Sequence, residues 1–347
     1  MQHKSIITAI AFLGVLCACS EKRPSIEFEK PAEVYFTDSI LVYPAGSITT
    51  DTITGEQLDT DIIGLVNMKA ANGLIAVSTS TEPKISLLSD DGGIICSYGR
   101  TGQGPDDFLN TEIAAPHISE SGDTCAWVND ISACVLKHLN FSASRRRGAA
   151  KVDSVIPTEF GAINAFVAGD RLVFETLDND AYKLYTRSLT DRSDTLHKSQ
   201  LYVRPTDAFY IYLSNGAVTP DGRYLFLPMA YINQANILDL TTGGRKAVSL
   251  GNVLPYDRSY NFQERSPKIY AYGASASGSD RLYAIYYGTD AESEAEATST
   301  TIHEITADGH IARIIHLPEA LVNIAFDSST GTLYGFDIDD NIYRYRL

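Results

Sequence analysis

Residues 97–108 read SYGRTGQGPDDF, and this stretch decides the fold. It sets Gly99, Gly102, Gly104 and Pro105 between a strand-like run, Ile94 to Tyr98, and the next apolar run at Ile113. The glycines open the left-handed half of backbone space, and Pro105 holds φ near about −65°. A connection so constrained is shaped rather than slack. Phe108 then returns the chain to apolar packing. A connection of this kind steps from the outer strand of one small sheet to the inner strand of the next. Arg100 and Gln103 within it read either as hydrogen-bonding groups of the connection or as contacts for a partner.

The same step repeats along the chain. A tight-turn glycine recurs at Gly73, Gly122, Gly169, Gly222, Gly278 and Gly331, at intervals of about 50 residues, the size of a four-stranded blade. In the first unit Leu65 to Ala70 predicts an inner strand, Asn72-Gly73 a turn, and Leu74 to Thr79, Lys84 to Ser89 and Ile94 to Tyr98 the other three strands. Unit four repeats the pattern around Pro220-Asp221-Gly222. The last unit is short: Val322 to Phe326, Thr332 to Phe336 and Ile342 to Arg346 make three strands. An unpaired sheet edge is a liability, so a fourth strand must come from elsewhere. Two β-rich segments near the N-terminus qualify, Glu33 to Val42 or Ser47 to Ile53. The expectation is an all-β, six-bladed β-propeller of four-stranded antiparallel blades, closed by an N-terminal strand that completes the C-terminal blade.

Residues 99–108 resemble the Gly-Arg-x-Gly-x-Gly-Pro-x-x-Phe signature of Bacteroidetes lipoproteins with a six-bladed, TolB-like propeller. They are also similar to the connection of NHL-type propellers. Where that family carries Gly-Glu or Gly-Asp after the proline, this chain has Asp106-Asp107. TPDGRYLFL, residues 219–227, resembles the TolB-type repeat. The resemblance covers residues 32–347 and implies architecture and export far more than chemistry, since a fold does not settle a function.

The chain has 347 residues, 44% of them hydrophobic, with 20 Tyr and 13 Phe. That supplies a sizeable core with strand-favouring side chains. The net charge of −15 argues against nucleic-acid binding, which wants a basic stripe. Arg145-Arg146-Arg147 is the one basic cluster and reads as a solvated loop. Residues 1–18 read as a lipoprotein signal peptide: Lys4 precedes a short apolar run, Ile6 to Leu16, and Leu16-Cys17-Ala18-Cys19 resembles a lipobox. Cys19 is then the lipidated residue, residues 19–31 a polar tether, and the propeller hangs from the cell envelope, expected at the outer membrane, on its periplasmic or its surface face. Membrane contact is expected through that anchor only, and the protein as a monomer. Cys125 and Cys134 flank a turn at Asn129-Asp130; they form either a cross-strand disulfide or two thiols packed as small hydrophobes.

A propeller gathers the starts of its inner strands around a channel. Asn67, Asn164, Asn215 and Asn323 recur near that position, with His117 and Tyr272 in the other two units. An amide both donates and accepts. Such a ring suits a polar, uncharged ligand such as a sugar, a water column or an ion, or it satisfies the backbone of the next blade. Propeller lactonases use carboxylates with asparagines on the channel axis; this chain supplies the asparagines but shows no carboxylate at the matching inner-strand positions, and Glu112 lies just before one inner strand. Asp337, Asp339 and Asn341 imitate a calcium loop but lack its glycine and its last ligand, and read as a hairpin turn. No HExxH, GxSxG or P-loop pattern occurs. The expected function is a non-catalytic binding module for a polar ligand, glycan or partner protein at the channel face. The alternative is a metal-dependent hydrolase or lyase. No cofactor is expected, and no catalytic residue is assigned.

Overall fold

The computed structural model describes residues 40–158, 164–168, 171–178, 181–189, 197–203, 213–251, 260–261, 266–290 and 297–347. The signal peptide, Cys19, the tether and Gly169 lie outside the described residues.

Six small antiparallel sheets stand as blades around a ring. Three short strands precede them: β1 (Ile40–Tyr43), β2 (Thr50–Thr52) and β3 (Glu56–Gln57). Blade 1 follows as β4 (Leu65–Ala71), β5 (Leu74–Thr79), β6 (Ile85–Ser89) and β7 (Ile94–Tyr98), close to the sequence expectation. Blade 2 opens on a broken inner strand, Thr111–Ile113 and His117–Ile118, both paired with Thr124–Asp130. Blades 3, 4 and 5 begin at Asn164, Ala217 and Ile269. Blade 6 comprises Leu321–Asp327, Thr332–Asp337 and Ile342–Arg346. The hairpin glycines Gly73, Gly122, Gly222 and Gly331 have φ between 67° and 81°, where a Cβ would be strained.

An N-terminal strand closes the ring, but it is neither of the two segments expected. β3 pairs antiparallel with Ile342–Arg346 through Tyr343↔Gln57 and Arg344↔Glu56. Its hold extends past the strand: Leu58 N–H donates to the Ile342 carbonyl at 2.8 Å, and Leu58 and Ile62 pack into the core between blades 6 and 1. The described part of the first expected segment, β1, instead lies parallel on the outer strand of blade 4, and β2 lies parallel on the outer strand of blade 5. The N-terminal segment therefore runs as a belt along the outer edges of blades 4, 5 and 6 before entering blade 1. Each step covers an edge that would otherwise expose unpaired backbone groups.

The apolar core is a series of seams between adjacent blades. Met68, Ile75 and Val77 of blade 1 pack with Ala325, Tyr334 and Phe336 of blade 6. Ala76, Ile85 and Leu87 on the other face of blade 1 pack with Ile113, Ala126, Val128 and Leu139 of blade 2. Alternation along each strand thus feeds two different seams.

The 99–108 connection lies over the second seam, with Phe108 fully buried in it. Gly99 has φ +90°, and a Cβ there would lie 2.9 Å from the Phe108 ring. Arg100 is paired with Asp107 (Nε–Oδ1 2.7 Å), and the same carboxylate accepts the Gly104 N–H. Arg100 thus serves the connection itself. Beneath it the buried Asp130 carboxylate accepts the N–H groups of Leu109 and Asn110 and holds the Lys137 ammonium at 3.1 Å. That ammonium also donates to the Asp107 carbonyl and sits 4.8 Å from the Phe108 ring centroid.

One local expectation is corrected, and one open alternative is decided. Residues Phe141–Arg147 form a short helix, α1, rather than a loop. Asn140 caps it through Ala143 N–H, Arg146 pairs with Asp123, and Arg147 pairs with Asp106. Cys125 does not face Cys134: the turn falls at Ile131–Ala133, Cys125 lies opposite Asn140, and both cysteines are free thiols. Burial pushes the Cys125 thiol up to about 11.

Candidate functional site

Asn67 is the third residue of β4 and Asn323 the third residue of the corresponding strand of blade 6. In both blades the register with the second strand shifts immediately before the asparagine, so that Asn67 lies opposite Ser78 and Asn323 opposite Phe336. A shift of this kind re-aims the side chain that follows it. Both Oδ1 atoms are sealed from the surface, and no protein donor reaches either. An unmet buried acceptor costs on the order of 1–3 kcal/mol, so a matching pair is not a packing accident to be ignored.

Lys69 follows Asn67 by two residues and shares its side of β4. Ala76, opposite Lys69, packs in the seam with blade 2, so this side faces blade 2. Glu112, on the inner strand of blade 2, keeps an open surface although protein surrounds it, the condition of a group lining a narrow lumen. Burial lowers the pKa of Lys69, and the charge of Glu112 opposes that shift. Burial raises the pKa of Glu112, opposed by Lys69 and by a hydrogen bond with Asn129. Nearby, Ser78 Oγ donates to the Thr111 carbonyl at 3.0 Å, while Thr111 Oγ1 is buried without a partner. Amide, ammonium, hydroxyl and carboxylate groups thus meet where the inner strands of blades 1 and 2 adjoin.

The other expected site residues go elsewhere. Tyr272 follows the same register shift in blade 5, but its side chain turns into the core, where its hydroxyl meets His303 Nδ1 at 3.0 Å and its ring lies 5.2 Å from Tyr286. Asn215 joins blades 4 and 5: Nδ2 donates to the Tyr272 carbonyl at 3.3 Å, and its own carbonyl accepts from Ser275 Oγ. It does what an amide satisfying the neighbouring blade would do. His117 lies opposite Cys125, toward the hairpin end of blade 2, and meets His138. Asn164 opens the inner strand of blade 3, and its side chain lies outside the described residues.

Glu112 lies within the inner strand, not before it, because that strand begins at Thr111 and breaks ahead of Pro116, which has no N–H to pair. Lys69 was legible as a charge alternating with Asn67 in the otherwise apolar run LVNMKAA. The acidic turn at Asp337 is structural: its carboxylate accepts the N–H groups of Asp339 and Asn341 and the Tyr343 hydroxyl. Asp340 reaches across to the N–H groups of Gly64 and Leu65, tying blade 6 to the start of blade 1. Among the described residues, no group of three metal-ligating side chains converges, and no helix is long and apolar enough to cross a membrane.

Inter-blade seams, a strand-closed ring and a polar lumen define the class: a six-bladed β-propeller. A protein of Bacteroides fragilis described as exported has a similar fold, with a TM-score of 0.54 at 12% identity over 88% of this chain and 99% of that one. The β-propeller domain of Cps50 (Swd1) from Myceliophthora thermophila aligns with a TM-score of 0.46 at 11% identity, over 84% of this chain and 99% of that one. At these identities the likeness concerns the fold alone. No family profile matches the chain, and no curated protein matches its sequence.

Proposed function

We propose that the protein is an exported, lipid-anchored envelope propeller of the TolB-like or NHL-like kind that binds a polar ligand at its channel face without transforming it. The observation that carries this reading is the Lys69 and Glu112 pair on the inner strands of blades 1 and 2, with the unmet amide oxygens of Asn67 and Asn323 on the inner strands of blades 1 and 6, which a side-chain rotation would turn toward a ligand. Buried acceptors next to an ammonium and a carboxylate suit a hydroxyl-rich molecule, such as a glycan, that donates and accepts at once. The test is a glycan array followed by calorimetry on purified protein and on Asn67→Ala and Asn323→Ala. Each substitution is expected to weaken binding about five- to tenfold, the value of one hydrogen bond of about 1 kcal/mol. Absence of binding to any glycan or polyol, or unchanged affinity in both variants, would sink the reading.

The hydrolase alternative draws on one observation, the Glu112 carboxylate on the inner strand of blade 2 with Asn129 hydrogen-bonded to it. Lys69 weighs against it, because an ammonium at that carboxylate competes with any divalent cation. Stoichiometric metal in purified protein, together with turnover of a lactone or ester, would favour the alternative. For the anchor, Cys19→Ser is expected to release the protein from the membrane fraction.

A further inference from the structure

His117 and His138 stand on the first and third strands of blade 2, and their rings converge over the strand between them. Their Nε2 atoms lie 3.2 Å apart, with ring centroids at 5.2 Å. Two imidazole nitrogens held about 2.05 Å from one tetrahedral ion lie roughly 3.3 Å from each other. The pair is thus already spaced as two ligands of one ion.

Two surroundings favour a metal. First, His117 makes a backbone hydrogen bond at Ala115; with Nε2 engaged by His138, that bond falls to Nδ1–H and leaves a lone pair on Nε2. Second, both rings are half-buried rather than sealed, so an ion and its waters can reach them from solvent. The Cys125 thiol is turned to the Asp123 carbonyl, with Sγ···O 3.7 Å.

We propose that His117 and His138 form a two-histidine site for a borderline divalent transition metal, of the Zn²⁺, Ni²⁺ or Cu²⁺ class, with water completing its coordination. In the free protein one Nε2–H donates to the other Nε2. On binding, the donor ring moves its proton to Nδ1, and both lone pairs face the ion. The site is separate from the channel and stands whether or not the channel binds a ligand.

The molecule carries its own reporter. It has one tryptophan, Trp127, whose ring lies 4.6 Å from that of His138. Cu²⁺ is the probe, because it heads the affinity order of the divalent series and quenches nearby indole emission. Titration of purified protein is expected to quench Trp127 saturably at one ion per chain, with reversal by EDTA and competition by Zn²⁺. His117→Gln and His138→Gln should each weaken the apparent affinity at least about tenfold. His310→Gln, at an exposed histidine remote in sequence, should leave it unchanged. Circular dichroism checks that each variant is folded, and His117→Gln alone suffices if His138→Gln is not. Non-saturating quenching, or quenching that survives His117→Gln, would overturn the site.

Discussion

The connection over residues 99–108 and the lumen beside it treat polar groups in opposite ways. In the connection, Arg100 meets Asp107, Asp130 meets Lys137 and two backbone N–H groups, and Gly104 N–H meets Asp107. On the inner strands, Asn67 Oδ1, Asn323 Oδ1 and Thr111 Oγ1 are buried without a partner, and burial disfavours the charged forms of both Lys69 and Glu112. A stretch can be rich in charge and glycine and serve only to hold blades together. A few amides in an apolar strand can be the better sign of a binding face. Polar groups that satisfy one another stabilise; those left unmet are the ones the proposed function assigns to a ligand.

The comparison can be broken or sharpened at four points. The largest effect is expected from deleting residues 40–57, which removes the belt and the closing strand. Blade 6 then exposes its outer edge, and cooperative melting should be lost. A deletion variant that melts like the intact protein would mean that β3 does not hold the ring. Next, Asp130→Ala leaves the Lys137 ammonium buried without its carboxylate. It should destabilise by about 3–5 kcal/mol in urea unfolding, because an uncompensated buried charge is costly. A loss under 1 kcal/mol would count against the connection as a satisfied network.

Third, His303 tests whether an unmet polar atom outside the lumen is only structural. Its Nε2 is buried without a partner, and burial, then the charge of His316, pushes its pKa down to about 3. Below pH 6.5 the unfolded chain takes up this proton while the folded chain resists it until about pH 3. Stability therefore falls as pH drops through that window, with a slope approaching ~1.4 kcal/mol per pH unit from this group. His303→Asn should reduce the slope relative to the parent; an identical slope would remove His303 as its source. The smallest effect on stability is expected from Asn67→Ala with Asn323→Ala, within about 1 kcal/mol, since these acceptors have no protein bond to lose. A large destabilisation would make them structural after all, and the contrast with the connection would disappear.

Much of the fold was legible in the chain. The six glycine-centred repeats predicted the blades, and within blade 1 the strands lie within a residue of their expected bounds, because each hairpin is local and its glycine turn sets its register. The closing strand was legible only as a need. Glu56–Gln57 is too short and too polar to announce itself, and only its pairing with the C-terminal strand identifies it. The site was legible in part. Asn67, Asn215 and Asn323 look alike in sequence, as VNM, SNG and VNI, yet Asn215 is consumed by the neighbouring blade while the other two are not. Tyr272 shares their register shift but finds His303 on its own blade.

Period, turn chemistry, apolar alternation and acidic balance, all properties of neighbouring residues, are enough to specify small twisted sheets in series. Which edge each N-terminal strand covers, which amides stay unmet, and that His117 and His138 come to share one point in space depend on contacts between residues far apart in the chain. Those contacts are set by strand register and by the inter-blade seams, and a one-residue shift redirects a side chain without leaving any mark in the local sequence.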